Sequence, residues 1–494
     1  MRKFLFFSLL LLLCTTSCCQ KQEAESRYIY IISTNDIHAN INVIPQLVSL
    51  VKSYEKRGDV LLVDSGDRVT GNAFVDDAPQ PGCPMMVLMN AAGYDVMTFG
   101  NHEFDNGTQG LNGMLDVAEC EFICSNVECK AEMAKPIKPY TLIELADVTL
   151  GFVGVVDTDG DGKPLGNSTS YTDFTFTRDI DTAYAYCDTL ATKADFVVLL
   201  SHMGYTFDKA LSERNAKCDW IAGGHSHDVV NQTINNIHLS QNGKNLRYVT
   251  IAELEVADGE ILSANYQQEA IDDEPADERV VDLVRELKSL NPDLNTVEGY
   301  ATALATQDGV ANFTIDALAS YPYADGFKPE ISFYHIGGIR LSNILPGDIT
   351  RGDIYNNDPF RSTIYIGEMS GEQIRNFIFE KYNNGTPENP DKESHYAYFR
   401  SDMPYTIVLG NTPEQYPDAV DIIIDLDPAK SYRIAMCNYI ANNYIAPEIT
   451  TTQLKYSGVS VRDAMMHHIH SLKDGFTPDN RVYQVEKKSE NLTE

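Results

Sequence analysis

The sequence predicts an α/β protein of more than one domain, and three observations support this. The chain has 494 residues, whereas a domain usually has roughly 100–200. Hydrophobic residues make up 43% and charged residues 22%, which is typical of globular proteins and excludes collagen-like, mucin-like and disordered chains. Short apolar runs alternate with amphipathic stretches in the first half, which favours helices that alternate with strands of a partly parallel sheet.

The first domain is predicted over residues 27–266. Its strands are predicted at short apolar runs, which are Tyr28–Ile32, Val60–Val63, Val96–Phe99, Phe122–Cys124, Leu150–Val156, Phe196–Leu200 and Trp220–Ala222. Helices are predicted where apolar residues recur with helical spacing, at Ile44–Tyr54, Met85–Ala92 and Asp179–Lys193.

A linker and a second domain follow. Residues 267–293 begin with a polar, acidic segment and continue as a helix that ends near Leu290, before an Asn-Pro pair. Residues 294–485 mix strands and helices, which are predicted at Phe313–Ala319, Ile331–Tyr334, Thr363–Glu368, Gly371–Tyr382, Asp421–Ile424, Ser431–Met436 and Ser460–Leu472. Residues 486–494 are predicted to be a charged tail.

The amino terminus has the pattern of an export signal. After two basic residues, Phe4–Leu13 is a largely apolar run, too short to cross a bilayer but suited to a signal-peptide core. The segment that ends at Cys18 resembles a bacterial lipoprotein signal, which predicts a signal peptide over 1–17 and a lipid on Cys18. Cys14 and Cys19 are alternative acceptors, and an ordinary secretory signal is the other interpretation. Either way, the protein is expected in the periplasm or at the cell surface.

The charge of the chain limits its partners. Acidic residues number 71 and basic residues 38, so the formal net charge is −33. Such a chain repels nucleic-acid polymers unless it has a basic patch, and the sequence has no Lys/Arg-rich run. An anionic small substrate would need a local positive charge, such as a bound metal ion.

Seven cysteines lie beyond the amino-terminal segment, an odd number that leaves at least one free. Cys120, Cys124 and Cys129 lie close in sequence, but they lack a CxxC pair and a nearby histidine, which argues against a zinc site. We interpret Cys124 as a core residue and expect a disulfide between Cys120 and Cys129.

Polar side chains follow five of the predicted strands. They are, in chain order, Asp36 and His38; Asp64 and Asp67; Asn101, His102 and Asp105; His202; and His225 and His227. Ligands of open α/β sheets bind at the carboxyl ends of the strands. Each feature alone has a structural explanation, such as a turn capped by Asp67 or a core histidine at 202. Together, five such features at one sheet edge predict a metal centre.

The residue types indicate which metals the centre takes. Aspartate, asparagine and histidine without cysteine suit Zn, Mn, Fe or Co and do not choose among them. The candidates outnumber the four ligands of one tetrahedral zinc site. We therefore predict two divalent ions that share a carboxylate. Such pairs clamp the attacking and leaving oxygens of a phosphoryl displacement and acidify a bound water.

The order of these motifs resembles that of a known family. Asp-x-His, Gly-Asp-x-x-x-Gly-Asn (Gly66–Asn72), Gly-Asn-His-Glu-Phe-Asp, Ser-His and Gly-Gly-His-Ser-His occur together in the calcineurin-like metallophosphoesterases. The sequence is most similar to the secreted 5'-nucleotidases, whose bacterial members include periplasmic UDP-sugar hydrolases. The resemblance implies an N-terminal four-layer αββα sandwich, a linker helix and a smaller C-terminal α+β domain.

The resemblance also implies a role for each site residue. One metal would be held by Asp36, His38, Asp67 and His227. The other would be held by Asp67, Asn101, His202 and His225, with Asp67 bridging the two. His102 would stabilise the transition state and help the leaving oxygen depart, and Asp105 would orient His102 from one helical turn away. Asp64 would orient a ligand.

The second domain resembles the family less closely. Arg340 lies in a Gly-Gly-x-Arg segment and Phe360 in a Pro-Phe segment, where the family binds substrate and stacks on the nucleobase. Alternatively, Arg340 forms a surface salt bridge and Phe360 is a core aromatic residue. The departures from the family pattern are His335 for an asparagine, Thr306 for an arginine, and Asn442-Asn443-Tyr444 for a Gly-Gly-Asp-Gly-aromatic loop.

These observations predict an exported, dinuclear-metal phosphoesterase that hydrolyses phosphate esters. Its expected partner is a small phosphorylated substrate, a nucleotide or nucleotide sugar, and its expected membrane contact is a lipid anchor alone. One alternative is the same chemistry on cyclic nucleotides, sugar phosphates or sulfur esters. Another is a surface binding lipoprotein without turnover, against which the complete ligand set and the His102–Asp105 pair argue.

Overall fold

A computed structural model describes residues 26–158, 162–166, 168–384, 399–410 and 418–488. The predicted signal peptide over 1–17, the predicted lipid acceptor Cys18 and residues 489–494 of the predicted tail lie outside this part of the chain. None of the described helices is long and apolar enough to cross a membrane.

The first half of the chain alternates strands and helices, as the sequence predicts. Its strands are β1 (Arg27–Thr34), β2 (Asp59–Asp64), β3 (Val96–Met97), β4 (Glu121–Phe122), β5 (Val127–Cys129), β6 (Tyr140–Leu145), β7 (Val148–Val156), β8 (Phe174–Phe176), β9 (Phe196–His202), β10 (Trp220–Gly223), β11 (Val229–Ile234), β12 (Ile237–Asn242), β13 (Tyr248–Ala257) and β14 (Glu260–Ala270). Its helices are α1 (Ile44–Glu55), α2 (Ala73–Asp76), α3 (Cys83–Ala92), α4 (Gly107–Val117), α5 (Asp179–Leu190), α6 (Tyr205–Glu213) and α7 (Glu278–Ser289).

Twelve of these strands form two sheets that pack face to face. In the described residues, the sheets have the strand orders β14-β13-β1-β2-β3-β4 and β11-β12-β10-β9-β7-β6. The central strands of each sheet run parallel, and antiparallel strands lie towards the edges. Parallel central strands bring their carboxyl ends to one side, which is where the candidate site lies.

Residues of β1 show why the first domain has four layers. Ile29 and Ile31 point towards the second sheet and are buried between the sheets with Val198 and Leu200. Tyr30 and Ile32 alternate with them and pack beneath the helices on the outer face. The second sheet is covered in the same way by α5 and α6. Each buried aliphatic side chain contributes about 1.5–3 kcal/mol. The predicted αββα sandwich is confirmed.

The linker helix α7 is attached to the first domain. Val280 and Val284 are buried in the cluster that includes residues of α1. Asp277 caps the helix, its Oδ1 accepting from Arg279 N at 3.1 Å and Val280 N at 3.3 Å, and its own N–H donates to Pro45 O at 3.0 Å.

The second half of the described chain is a smaller α+β unit, as predicted. Its strands are β15 (Val297–Ala301), β16 (Ala305–Thr306), β17 (Ile331–His335), β18 (Asn343–Ile344), β19 (Gly347–Thr350), β20 (Thr363–Ser370), β21 (Phe399–Ser401), β22 (Tyr405–Leu409), β23 (Ala419–Ile424), β24 (Ser431–Cys437), β25 (Leu454–Ser460) and β26 (Gln484–Lys488). Its helices are α8 (Gln307–Ser320), α9 (Arg351–Asn357), α10 (Gly371–Asn384), α11 (Asn438–Asn443), α12 (Pro447–Thr452) and α13 (Val461–Ser471). Its main sheet has the order β21-β17-β24-β20-β25.

The cysteine prediction is half right. Cys124 is a core residue, 2% exposed, as expected. The expected disulfide between Cys120 and Cys129 is wrong, because both thiols are free. Cys120 lies just before β4 and is buried, whereas Cys129 ends β5, which pairs with β8 in a separate ribbon. Burial raises the pKa of the Cys120 thiol to about 11, so it stays protonated.

Candidate metal centre and active site

The loops that follow five strands meet at one edge of the sandwich. The loops after β1 and β2 are joined by a backbone hydrogen bond from Asp36 N to Gly66 O at 3.0 Å. The two sheets are joined nearby, where Ser65 Oγ donates to Ala222 O at 2.7 Å. The loops after β1 and β2, together with the loops after β3, β9 and β10, bring the seven predicted metal ligands and His102 into one cluster.

The first group of predicted ligands is formed by Asp36, His38 and His227. His38 Nε2 and His227 Nε2 lie 2.9 Å apart. Asp36 Oδ1 is 3.4 Å from His227 Nε2 and 3.8 Å from His38 Nε2. His38 Nδ1 lies 3.2 Å from the Thr70 carbonyl, which can only accept, so the proton is on Nδ1 and the Nε2 lone pair faces the group.

The second group contains His202, Asn101 and His225. His202 Nδ1 donates to Ser65 O at 2.7 Å, and its Nε2 is 3.2 Å from Asp67 Oδ2. Asn101 Oδ1 lies 3.1 Å from His225 Nδ1. Backbone carbonyls thus fix the ring orientations of both His38 and His202, as is usual for metal-binding histidines.

Asp67 lies between the two groups. One ligand atom from each of Asp36, Asp67 and His202 lies within 4.8 Å of the others, and the same holds for His38, Asp67 and His102. His38 and Asp67 are also linked through the backbone, His38 N donating to Asp67 O at 2.9 Å. This position fits a carboxylate shared by two cations.

The ligand loops adopt a backbone conformation that side chains seldom accept. Positive φ angles occur at five predicted ligands, which are Asp36 (49°), His38 (46°), Asp67 (55°), His225 (77°) and His227 (61°). Such angles are uncommon outside glycine and accumulate at functional sites. Gly100 has no room for a side chain, since a Cβ there would lie 2.2 Å from Asp67 Oδ1 and 2.6 Å from His202 Nε2.

A buried set of charged residues supports the Asp67 loop, and the sequence analysis missed two of its members, Arg68 and Glu103. Glu103 accepts from the backbone N–H groups of Asp67 at 2.9 Å, Gly100 at 2.6 Å and Arg68 at 3.0 Å. The Arg68 guanidinium donates to Asp64 Oδ1 at 3.0 Å. Asp64 therefore pairs with Arg68 rather than with a predicted ligand. The signal that could have found the set is the presence of an arginine and a glutamate next to predicted ligands in two glycine-containing turns.

The arrangement fits metal cations. Asp36 Oδ1 and His202 Nε2 are buried and make no hydrogen bond within the described residues. Burial disfavours a charged His202 ring, yet Asp67 and Asp36 outweigh burial and raise the pKa of His202 to about 10. The two carboxylates therefore favour a positive charge at this position. Burial and the Arg340 guanidinium hold the pKa of His38 well below its ordinary value, so this ring is a neutral donor. Carboxylate, amide and imidazole donors suit Zn, Mn, Fe or Co.

His102 lies beside the predicted ligands and pairs with Asp105. It lies in a single turn of 3₁₀-helix, His102–Phe104, so that Asp105 follows one turn later. His102 Nδ1 is 2.8 Å from Asp105 Oδ2, which also accepts from Thr70 Oγ1 at 2.8 Å. Burial opposes protonation of the ring, but Asp67 and Asp105 outweigh burial and raise the pKa of His102 to about 9.

The second domain reaches this cluster through Phe360 and Arg340. The Phe360 ring lies 5.7 Å from the His102 ring and is 36% exposed, so Phe360 is not a core aromatic residue. Arg340 lies over Phe360, with Cζ 5.6 Å from the ring centre. Burial and the Arg340 guanidinium lower the pKa of Lys244, a residue of the first domain, to about 8.

Comparison with known proteins identifies the family. The model of the calcineurin-like phosphoesterases matches residues 29–229, and the model of the 5'-nucleotidase C-terminal domain matches residues 273–446. The chain belongs to the calcineurin-like phosphoesterases. Its second half is a 5'-nucleotidase C-terminal domain. The prediction of a metal-dependent hydrolase is confirmed by this membership.

Relatives of this phosphoesterase agree with the assignment. It is 25% identical to the trifunctional nucleotide phosphoesterase YfkN of Bacillus subtilis (strain 168), over 93% of this chain and 36% of that protein. It is 26% identical to the protein UshA of Salmonella pullorum, over 86% of this chain and 88% of the relative. The phosphoesterase thus spans about a third of the length of YfkN and most of the length of UshA.

A solved structure supports the fold of both domains. The 5'-nucleotidase precursor of Thermus thermophilus superposes with a TM-score of 0.78 at 19% identity, covering 93% of this chain and 99% of that one. At this identity the likeness concerns the fold alone.

The phosphoesterase departs from its family in the second domain, and the structure shows what the substituted residues do. Thr306 caps α8, its side chain accepting from Gly309 N. His335 stacks on Tyr439 with ring centres 4.3 Å apart. Burial, Lys381 and Arg340 lower the pKa of His335 to about 3, so the ring is neutral. Tyr444, in the segment that replaces the expected glycine-rich loop, follows α11, and its ring lies 5.7 Å from that of Tyr439.

Proposed function

We propose that this phosphoesterase hydrolyses the phosphate ester of a nucleotide or nucleotide sugar at a pair of divalent metal ions. The observation that carries the proposal is Asp67, whose carboxylate lies within reach of both groups of predicted ligands. When bound, the two ions would bind the phosphate oxygens and acidify an attacking water. Asp36, His38, Asp67 and His227 would hold one ion, and Asp67, Asn101, His202 and His225 the other.

His102 would supply the proton for the leaving oxygen. Its Nδ1 lies 2.8 Å from Asp105, so the proton would be delivered from Nε2, which lies 3.8 Å from Asp67 Oδ2. The side chain is 14% exposed, and the Phe360 ring lies 5.7 Å away. Arg340 would attract the anionic substrate into a chain whose net charge is −33.

Phe360 would contact the part of the substrate that is remote from the reacting phosphate. An exposed aromatic face next to the acid residue suits stacking on a nucleobase. The relative YfkN is a trifunctional nucleotide phosphoesterase, which supports nucleotides as the substrate class. Export, with a lipid on Cys18, remains part of the proposal and rests on the amino-terminal sequence.

A substrate panel tests the proposal. Phosphate release by the metal-reconstituted protein should be measured with AMP, UDP-glucose, a cyclic nucleotide, a sugar phosphate and p-nitrophenyl phosphate. The proposal predicts the highest kcat/KM for AMP or UDP-glucose. Hydrolysis of only the cyclic nucleotide, or of only the sugar phosphate, would replace nucleotides and nucleotide sugars by that compound's class as the substrate. If the protein has bound its metals but hydrolyses none of these compounds, the alternative of a binding protein without turnover is supported instead.

A further inference from the structure

Three charged residues join the two domains. Asp77, at the end of α2 in the first domain, accepts from Arg361 Nε at 2.9 Å and Nη2 at 2.7 Å through Oδ1. Its Oδ2 accepts from Arg462 Nη1 at 2.7 Å. The Asp77 side chain is 14% exposed and that of Arg462 is 9% exposed, so solvent screens this interaction less than an ordinary surface pair. We call Asp77, Arg361 and Arg462 the interdomain cluster.

The cluster is tied to the turn that carries Phe360. Arg462 Nε donates to Asp358 O at 2.7 Å, and the Asp358 carboxylate accepts from Ser362 N at 2.9 Å and Ser362 Oγ at 2.7 Å, which closes the turn between them. Arg361 has φ 53°, an uncommon angle for a side chain of its size. This kink sends Arg361 to Asp77 and leaves the neighbouring Phe360 ring 5.7 Å from His102.

The first-domain side of the cluster is held by buried hydrogen bonds and is linked to Asp105. Asp76, next to Asp77, is buried and accepts from the backbone N–H groups of Thr70 at 3.0 Å, Gly71 at 2.7 Å and Asn72 at 2.8 Å. Thr70 in turn donates to Asp105. A second interdomain bond, Ala73 N to Asn356 Oδ1 at 2.6 Å, lies beside the cluster. The two domains therefore meet on the segment that also supports His102.

We propose that Asp77 is a positioning residue that docks the second domain on α2 and thereby sets where Phe360 and Arg340 stand relative to His102. The position of Phe360 depends on docking, because its turn is bonded to the first domain through the arginines of the cluster. The first-domain groups keep their own supports, since Asp76 and Glu103 hold their loops without the second domain. Loss of the cluster thus affects the remote part of a substrate and not the chemistry at its phosphate.

The activity test rests on the proposed function and compares a nucleotide with a small ester. Asp77→Asn and Arg361→Asn remove the charges, and asparagine tolerates the positive φ at position 361. Each variant should raise KM for AMP on the order of tenfold, while kcat/KM for p-nitrophenyl phosphate stays within about twofold. The double variant should show no further loss, because both changes remove one interaction. Asp59→Asn, which breaks the more exposed pair with Arg27 at 3.3 Å within the first domain, is the matched control.

A second measurement needs no substrate. Small-angle X-ray scattering of the Asp77→Asn protein should show a larger radius of gyration than that of the wild-type and Asp59→Asn proteins. An unchanged radius together with an unchanged KM for AMP would overturn the proposal, as would equal losses on AMP and p-nitrophenyl phosphate. If the wild-type protein does not hydrolyse AMP, the proposed function fails, but the scattering result still decides the role of Asp77.

Discussion

His102 and the predicted ligands His38 and His202 differ in the groups that orient their rings. Backbone carbonyls orient His38 and His202, whereas a carboxylate orients His102. A carboxylate partner favours a protonated ring, which is suited to proton transfer. His102→Ala should therefore keep its metal ions and lose turnover by roughly 10²–10⁴-fold.

The test of His102 combines elemental analysis with phosphate release. His470→Ala is a suitable control, because that ring is exposed and pairs with Glu298 in the second domain. Loss of metal in His102→Ala would make His102 a ligand, and near-normal turnover would remove it from the mechanism.

Phe360 is the residue that should separate substrates. Base stacking on one aromatic ring contributes about 1–3 kcal/mol, which corresponds to a roughly 5- to 150-fold change. Phe360→Ala should weaken hydrolysis of AMP by a factor in this range and leave p-nitrophenyl phosphate almost unchanged, because the small ester does not reach the ring. Steady-state kinetics on both substrates measure this. Equal losses on both would mean that Phe360 supports the fold instead of the substrate.

At the scale of elements, the Asp67 loop depends on Glu103 in the turn after β3. Glu103 is 1% exposed and accepts three backbone N–H groups beside the Arg68 guanidinium. Glu103→Gln removes one of the carboxylates beside the buried Arg68 guanidinium. Breaking a buried ion pair typically costs about 3–5 kcal/mol of stability. The free energy of unfolding, measured with denaturant, should fall by about 3 kcal/mol, and metal affinity should fall with it.

The matched control for Glu103 is Glu121→Gln at the start of β4. Glu121 is about half exposed and pairs with Lys138 at 2.7 Å, an interaction worth about 0–1 kcal/mol. If the two variants lose the same stability, or if Glu103→Gln keeps wild-type metal affinity, Glu103 does not support the Asp67 loop as described.

The elements themselves were largely predictable, because the hydrophobic pattern determines them. Each strand and helix predicted for the first domain lies within a few residues of an observed one, whereas the strands β5, β6, β8 and β11–β14 and the helices α2, α4 and α6 were not predicted. The motifs at the strand ends were found because parallel strands end at one edge. The predicted strand Val96–Phe99 is observed only over Val96–Met97, because the chain leaves the sheet early and continues into the loop that carries the predicted ligand Asn101. Helix α8 begins at Gln307 rather than Phe313, because Thr306 provides an earlier cap.

The supports of the site were not predictable from the same pattern. Arg68 and Glu103 are charged residues in turns, which usually face solvent, and only the packing of both sheets around them reveals that they are buried. The free thiols of Cys120 and Cys129 were missed because sequence proximity says nothing of the elements that carry them. The contact between Phe360 and His102 depends on how two domains meet, which local sequence does not encode.

For the whole molecule, a net charge of −33 favours the binding of cations. The candidate centre brings two buried aspartates within 4.8 Å of histidine ring nitrogens. Ions that bind only the folded protein stabilise it by mass action. A two-metal centre would therefore link the stability of the first domain to the chemistry proposed for it.

Elemental analysis of the metal-reconstituted protein, with protein concentration measured on the same sample, tests this account most directly. The account predicts two divalent ions per chain and less than one firmly held ion in Asp67→Asn, because the shared carboxylate serves both positions. One ion or none per wild-type chain, after reconstitution with Zn, Mn, Fe and Co in turn, would contradict it.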